Sequence, residues 1–286
     1  MICKIFLNDC VDFLKSNNDH KFDLTFLDPP FNQAKEYRSH DDNMSSEKYW
    51  GWMAEVCNLV HHNSNDGAAI YFMQREKNVH HVVRTLEDAG WTYQNLIIWK
   101  KKTSAVPNSN RFGLHFQIIV FATKGKTPRV FNKLRIDPPI LETEKYRRPN
   151  GMFVTDVWDD IRELTSGYFA GDEPIRDEYG QRIHKQQSPI HLLARIILSS
   201  SNPRDLVFDP FAGTGTTLIV AKQLFRNSIG TDIDPVNQDV ILKRISLLRP
   251  SDSIGKLEHY YRFTESLKSI WPSYHECKKE VDFLND

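Results

Sequence analysis

Seven short runs rich in Ile, Val, Leu and Phe punctuate the chain, at residues 4–8, 22–27, 68–73, 95–100, 117–123, 206–208 and 228–231. Most are nearly continuous in apolar residues rather than alternating. Strands buried on both faces read this way, as in a helix-covered, mostly parallel sheet. Helical periods lie between many of them, at 45–62, 77–89, 189–200 and 216–225. Alternation of strand and helix predicts an α/β, doubly wound fold around a mostly parallel seven-stranded sheet. No clear helical pattern separates 95–100 from 117–123, so these two are predicted to pair antiparallel at one edge.

Residues 124–187 break the rhythm, being rich in charge, proline, glycine and tyrosine without a long apolar period. A stretch of this length inside a compact domain is usually functional or disordered. It is predicted to be an inserted region within a catalytic domain spanning 1–250. Residues 251–286 form a C-terminal extension of unassigned role, with Tyr260, Tyr261, Phe263, Trp271 and Tyr274. A helix lying on the domain surface is the default expectation there.

Composition narrows the class. The apolar runs are too short to span a bilayer, which takes ~20 residues. Met1 opens directly into a strand-like run with no signal peptide, so a cytoplasmic protein is expected. Cys3, Cys10, Cys57 and Cys277 are scattered without a Cys-x-x-Cys pair, and read as reduced thiols. His61, His62, His80 and His81 come as two adjacent pairs with no carboxylates at ligand spacing, and no metal site is predicted. Trp50, Trp52, Trp91 and Trp99 read as core or interface.

The formal net charge is zero, but its distribution is uneven. Between residues 95 and 150 there are twelve Lys and Arg against three acidic residues. A phosphate backbone requires such a local positive surface. A solvated lysine-rich hairpin would give the same count.

The first chemical constellation is Asp28-Pro29-Pro30-Phe31, directly after the run 22–27. Ligands of open α/β sheets sit beyond the carboxyl ends of strands. Two prolines make a rigid turn without N–H groups, while their carbonyls remain free to accept. A carboxylate, a fixed carbonyl and an aromatic face therefore suit an amino group on a flat ring. Hydrogen bonds that draw the amino nitrogen toward tetrahedral geometry return nucleophilicity to it. Asp137-Pro138-Pro139-Ile140 repeats three of these letters but lacks the aromatic and the preceding strand, and reads as a turn.

The second constellation runs from Asp209-Pro210-Phe211 through Gly213, Gly215, Thr216 and Thr217, between a strand and a helix. Glycines let the backbone approach a ligand closely, and the helix N-terminus favours an anionic group. Leu218 replaces the third small residue of the dinucleotide pattern, and Gly-Lys-Ser/Thr of a P-loop is absent. Asp232 ends the next strand, where a carboxylate can hold two ribose hydroxyls. Together these describe a site for an adenosine-type cofactor.

On these two motifs the chain resembles the amino-methyltransferases of bacterial restriction–modification systems, in the group whose catalytic motif precedes the cofactor motif. The family's Asp/Asn/Ser-Pro-Pro-Tyr/Phe is similar to Asp28–Phe31. Its Asp-Pro-Phe-x-Gly-Ser/Thr-Gly-Thr-Thr is similar to residues 209–217. The resemblance implies S-adenosylmethionine as cofactor. Asp9 would lie near its adenine, Phe211, Gly213, Gly215, Thr216 and Thr217 along its methionine part, and Asp232 at its ribose. His184-Lys185-Gln186-Gln187-Ser188-Pro189 sits where many relatives read His-Pro-Thr-Gln-Lys-Pro. Gln187 and Pro189 match and Ser188 replaces lysine, so that lysine's cofactor contact does not carry over. Ser188-Pro189 reads instead as a helix N-cap and a first-turn proline.

The implied activity is methyl transfer to an exocyclic amino group in duplex DNA. Aspartate before Pro-Pro favours adenine N6; serine there is commoner in cytosine-N4 enzymes. A cytosine-N4 enzyme on the same scaffold, an RNA or protein methyltransferase, and a non-catalytic DNA-binding subunit are the alternatives. Candidate DNA contacts are Lys100, Lys101, Lys102, Arg111, Arg147 and Arg148. A homodimer and a cognate restriction endonuclease are the expected protein partners.

Overall fold

A computed structural model describes the chain except for residues 18, 36–38, 104–106, 108, 138–147, 165–170, 185 and 273–286. The turn read at Asp137-Pro138-Pro139-Ile140, Arg147 and Cys277 therefore lie wholly or partly outside the described residues.

The strands are β1 (Cys3–Leu7), β2 (Phe22–Leu27), β3 (Ser64–Gln74), β4 (Thr92–Lys100), β5 (Phe116–Thr123), β6 (Arg135–Ile136), β7 (Met152–Phe153), β8 (Val157–Trp158), β9 (Leu206–Asp209) and β10 (Asn227–Asp232). The helices are α1 (Cys10–Ser16), α2 (Ser46–His62), α3 (Val79–Asp88), α4 (Ile190–Ser200), α5 (Thr216–Gln223), α6 (Pro235–Ser246), α7 (Gly255–Tyr260) and α8 (Leu267–Ile270). One sheet runs in the order β1-β10-β9-β2-β3-β5-β4-β8. β5 is antiparallel to both its neighbours, and every other pairing in that sheet is parallel.

Seven of these eight strands are the runs read from the sequence. The eighth, β8, comes from the inserted region and pairs parallel with Ile98 and Trp99 of β4. The antiparallel pair β4–β5 thus lies one strand in from the edge.

Continuous apolar runs follow from the two-sided burial. Ala69, Tyr71 and Met73 of β3 enter one core cluster, while Ile70 and Phe72 enter the other. Ile119 and Phe121 alternate in the same way with Ile118, Val120 and Ala122 on β5. Successive Cβ atoms point to opposite faces, so both sets must be apolar. On one face, α2 buries Tyr49, Met53, Val56, Cys57 and Val60, spaced to form one helical stripe. On the other, α4 is buried almost all round.

The end of the chain helps cover α4. Residues 251–272 do not simply rest on the surface: Ile254, Tyr261, Ile270 and Trp271 are buried in the same cluster as α4. The buried Arg195 guanidinium on α4 holds Asp160 through Nη1 and Nη2, and Asp160 also accepts from Tyr260. Arg226 reaches the Ile270 carbonyl. The described part of 124–187 is mostly loop, yet it sends Leu134, Ile136, Trp158 and Ile161 into this core. No described helix is long and apolar enough to cross a membrane.

Candidate active site

β2 and β9 lie side by side, with Leu24 opposite Val207 and Thr25 opposite Phe208. From β2 the chain continues to β3 on one side; from β9 it continues to β10 on the other. The connections part at this point, opening a crevice beyond the carboxyl ends of both strands. A cleft of about 1100 Å³ lies here, and Asp28–Phe31 and Asp209–Gly213 both line it.

The turn after β2 is held from several directions. The Tyr49 hydroxyl donates to the Pro30 carbonyl at 2.8 Å, and Gln74 Nε2 donates to Tyr49 Oη at 2.9 Å. No described residue donates to the Pro29 carbonyl. Beyond Phe31, the buried Asp42 carboxylate accepts the N–H groups of Asn32, Gln33 and Lys35 at 2.7–3.1 Å. Asn32 and Ala34 can then hold left-handed conformations, at φ 53° and 55°.

Asp28 Oδ2 accepts from the Ser188 hydroxyl at 2.9 Å. Burial pushes the Asp28 carboxyl up to about 7; the Ser188 hydrogen bond opposes this, Asp209 reinforces it, and Lys101 and Lys35 oppose it. Ser188 is therefore not the N-cap predicted for it. Pro189 occupies that position with extended backbone (φ −66°, ψ 144°), and α4 starts at Ile190. The Ile190 N–H is taken by Glu173 Oε1 at 2.6 Å, so the helix end needs no local cap.

The second wall is built around Gly213 and Gly215. Both have positive φ, 53° and 77°. Gly215 begins α5 but does not line the cleft; a Cβ there would sit 2.6 Å from Ile241 Cγ1, so its glycine is needed for packing against α6. Gly213 lines the cleft and donates its N–H to Asp232 Oδ2 at 2.8 Å. Asp232 also accepts from the Asp234 N–H and from Asn237 Nδ2. Burial still raises its carboxyl above the usual range. Asp209 is likewise pushed up to about 7 by burial, against hydrogen bonds from Thr217 and the Phe211 N–H.

Asp9, Phe211, Thr216 and Thr217 line the cleft with Asp28 and Asp232. Asp9 already caps α1, accepting from the Val11 N–H at 2.8 Å. Thr216 Oγ1 is buried at the start of α5 without a partner among the described residues. A polar atom left bare in this way fits a polar ligand group lying along the helix start. The orphaned hydroxyl and the buried acidic strand end together fit an aminoacyl nucleoside such as S-adenosylmethionine.

Of the predicted basic residues that are described, only Lys101 reaches the cleft, and burial lowers its ammonium below the usual lysine range. Lys100, Lys102, Arg111 and Arg148 are exposed outside it. Buried Glu163 accepts the N–H groups of Lys102 and Thr103 at 2.8 and 2.9 Å, tying the end of β4 to the inserted region. Two of the tryptophans read as core or interface face the cleft: Trp99, and Trp52, whose ring meets Phe211 edge-on at 5.4 Å. Tyr49, Gln74, Asp42, Glu163 and Ser188 have no local sequence signal for their roles; Asp42 acts within its own loop, and the others act across 19 to 160 positions.

The family model of DNA methylases matches residues 22–243, a span that holds both walls of the cleft except residues 8–10. The type II methyltransferase M.HinfI of Haemophilus influenzae is 30% identical over 268 residues, covering 86% of this chain and 69% of the relative. M1.MboII of Moraxella bovis is 29% identical over 262 residues, covering 83% and 95%. The crystal structure of the M1.HpyAVI–SAM complex superposes with a TM-score of 0.60 at 25% identity, covering 86% of this chain and all of that one. PvuII DNA methyltransferase, described as cytosine-N4-specific, shares the fold at a TM-score of 0.63 and 17% identity, with 93% of each chain covered. The two motif-bearing strands meet at one cleft, inside a match spanning most of the sequence. The chain thus belongs to the N6/N4 DNA methylase family and is an S-adenosylmethionine-dependent DNA methyltransferase.

Proposed function

We propose that the enzyme methylates the N6 amino group of adenine at specific sites in duplex DNA, within a restriction–modification system. The observation that carries this reading is the cleft that Asp28 shares with Gly213, Thr216 and Thr217. It allows an amino group held at one wall to meet a methyl donor held at the other. When bound, S-adenosylmethionine supplies a methyl group activated by its sulfonium.

The chain's own residues then have three tasks. The ionised Asp28 carboxylate and the Pro29 carbonyl accept the two amino N–H bonds, returning the lone pair to the nitrogen. Phe31 offers its ring to the base, which must leave the duplex to reach this depth. Gly213, Thr216, Thr217 and Asp232 would hold the cofactor, and Asp9 would bind its adenine end. The Asp28 carboxyl, poised near neutrality by burial, also sits where the proton released after transfer can be accepted.

Lys100, Lys101, Lys102 and Arg111 flank the cleft on β4 and the loop before β5, and Arg148 belongs to the inserted region. These positions support contact with phosphates, and region 124–187 is the candidate reader of sequence. Exchanging 124–187 for that of a relative with different specificity changes the methylated sequence on this reading; an unchanged target removes the claim. A homodimer is supported by the exposed apolar Phe6 and Leu7 on edge strand β1, and Leu242 and Leu247 on and after the neighbouring α6. Light scattering of the pure protein tests it. A cognate endonuclease and a cytoplasmic location complete the proposal.

The deciding experiment is methyl transfer from labelled S-adenosylmethionine to mixed-sequence duplex DNA, followed by nucleoside mass analysis. Label on adenine N6 supports the reading. Label on cytosine N4, the second reading, keeps the role of Asp28 and overturns the base; it shares the fold with the PvuII enzyme. Cofactor binding without transfer to DNA overturns the substrate.

A further inference from the structure

We propose that Ser188 is a positioning residue for methyl transfer, fixing Asp28 Oδ2 so that the other carboxylate oxygen faces the target amino group. This rests on the role given to Asp28 above.

Three observations carry it. First, Ser188 Oγ is the only hydrogen-bond partner of the Asp28 carboxylate among the described residues. Asp28 follows a strand and would otherwise rotate about its terminal torsion, a broad and soft one. A carboxylate asked to accept one N–H in a defined direction loses that definition if both oxygens are free.

Second, Ser188 is itself held at both sides. Gln187 is buried; its Oε1 accepts from the Ile175 N–H at 3.0 Å and its Nε2 donates to the Glu173 carbonyl at 3.1 Å. Two residues on, the Ile190 N–H donates to the Glu173 carboxylate. Arg249 Nη2 donates to the same Glu173 carbonyl at 2.9 Å, while its guanidinium is paired with buried Asp252. The segment 187–190 is thus clamped to 173–175 on both sides of the serine. This is the locked support a reactive group needs to stay within a fraction of an ångström of its working geometry.

Third, the serine has no structural task that would account for its hydroxyl. It does not cap α4, because the Pro189 backbone takes the cap position and Glu173 supplies the acceptor. Its hydroxyl joins two segments 160 positions apart at the reacting wall of the cleft.

Ser188 donates to the charged form of Asp28, and so favours it. The other groups acting on that carboxyl are Asp209, Lys101 and Lys35, and it in turn acts on the Tyr49 hydroxyl. Removal of the Ser188 hydroxyl leaves these in place and takes away one stabiliser of the anion.

The test measures single-turnover methyl transfer from labelled S-adenosylmethionine to mixed-sequence duplex DNA across pH, with cofactor Kd by calorimetry. Wild type, Ser188→Ala, Ser188→Thr and Asp28→Ala are compared. The expected Ser188→Ala result is a transfer rate lower by roughly tenfold to a hundredfold, the range for hydrogen bonds to charged groups. Its acid limb moves to higher pH, cofactor Kd is unchanged, and Ser188→Thr restores rate and profile. An unaltered rate and acid limb in Ser188→Ala, with Asp28→Ala inactive, overturns the role of Ser188 and leaves that of Asp28 standing. A loss that Ser188→Thr does not rescue, with no shift of the acid limb, also overturns it by showing a merely structural part. An active Asp28→Ala overturns the reading of Asp28, and the role of Ser188 falls with it.

Discussion

Tyr49, on the first turn of α2, clamps the peptide of Pro30 through a 2.8 Å hydrogen bond, and is itself held by Gln74 at the end of β3. The proline turn that carries Asp28 is therefore fixed by the helix and the strand that follow it. In Tyr49→Phe the Pro30 carbonyl and the Gln74 amide both lose a buried partner. The expected cost is about 1–3 kcal/mol of stability. Transfer rate should fall about five- to tenfold with cofactor Kd unchanged; denaturant titration and single-turnover kinetics check the two parts.

Asp28→Ala should abolish methylation while leaving cofactor binding intact, because Asp28 belongs to the wall opposite the glycine motif. Calorimetry with S-adenosylmethionine and transfer of labelled methyl separate these effects. Normal turnover in this variant would sink the mechanism.

The two motif glycines should fail differently. Gly215→Ala forces a Cβ to 2.6 Å from Ile241 at a φ of 77°, and about 2–4 kcal/mol of stability is expected to go. Gly213→Ala meets nothing nearer than the His184 ring at 3.7 Å, so its cost is the strained φ alone, about 1 kcal/mol. The Gly213 change alters the cleft wall itself, and weaker cofactor binding should exceed its effect on folding. Thermal melts and cofactor titration of both variants make the comparison.

Asp209 gives the protein a pH-dependent weakness. Its folded pKa, about 7, lies above the ordinary 3.8, so between these values the folded state binds its proton more tightly than the unfolded state. Its contribution to stability is present below pH 3.8 and is lost as pH rises through 7. Neutral histidines such as His191, held near 3 by burial, slope the other way. The readout is therefore a difference: from pH 5 to 8, wild type should lose stability relative to Asp209→Asn, measured by denaturant midpoints in the absence of cofactor.

Lys102 and Arg111 are exposed beside the cleft, and phosphate contact there releases counterions. Lys102→Ala and Arg111→Ala should each reduce the slope of log affinity against log salt by about one for duplex DNA. Titrations at several salt concentrations measure it. An unchanged slope removes the residue from the DNA contacts.

Much of the sheet was legible because β2, β3 and β5 are buried on both faces and must be apolar throughout. The Asp28 and Asp209 motifs were legible because each follows such a strand. β8 was not: it is two residues long, and its place depends on Trp158 entering the core and on Asp156 accepting the Ile98 N–H. Ser188 was misassigned because Ser-Pro is a sound local signal for a helix start. The true acceptor at that helix end is Glu173, 17 positions earlier, and no local pattern records it. The terminal helices were read as superficial because α7 and α8 are too short to show an apolar period, though Tyr261, Ile270 and Trp271 are buried.

The position of β2 in the sheet has a consequence for biosynthesis. Leu24 of β2 pairs with Val207 of β9 across 183 positions, so one long edge of β2 has no partner until β9 is made. At ribosomal speeds that wait is roughly ten to forty seconds. An apolar strand with an open edge is then exposed to other nascent chains, and holding it safe is work for a chaperone. The same delay means that Asp28 and Asp209 come to line one cleft only once both strands are in place, so the cleft cannot precede the synthesis of β9.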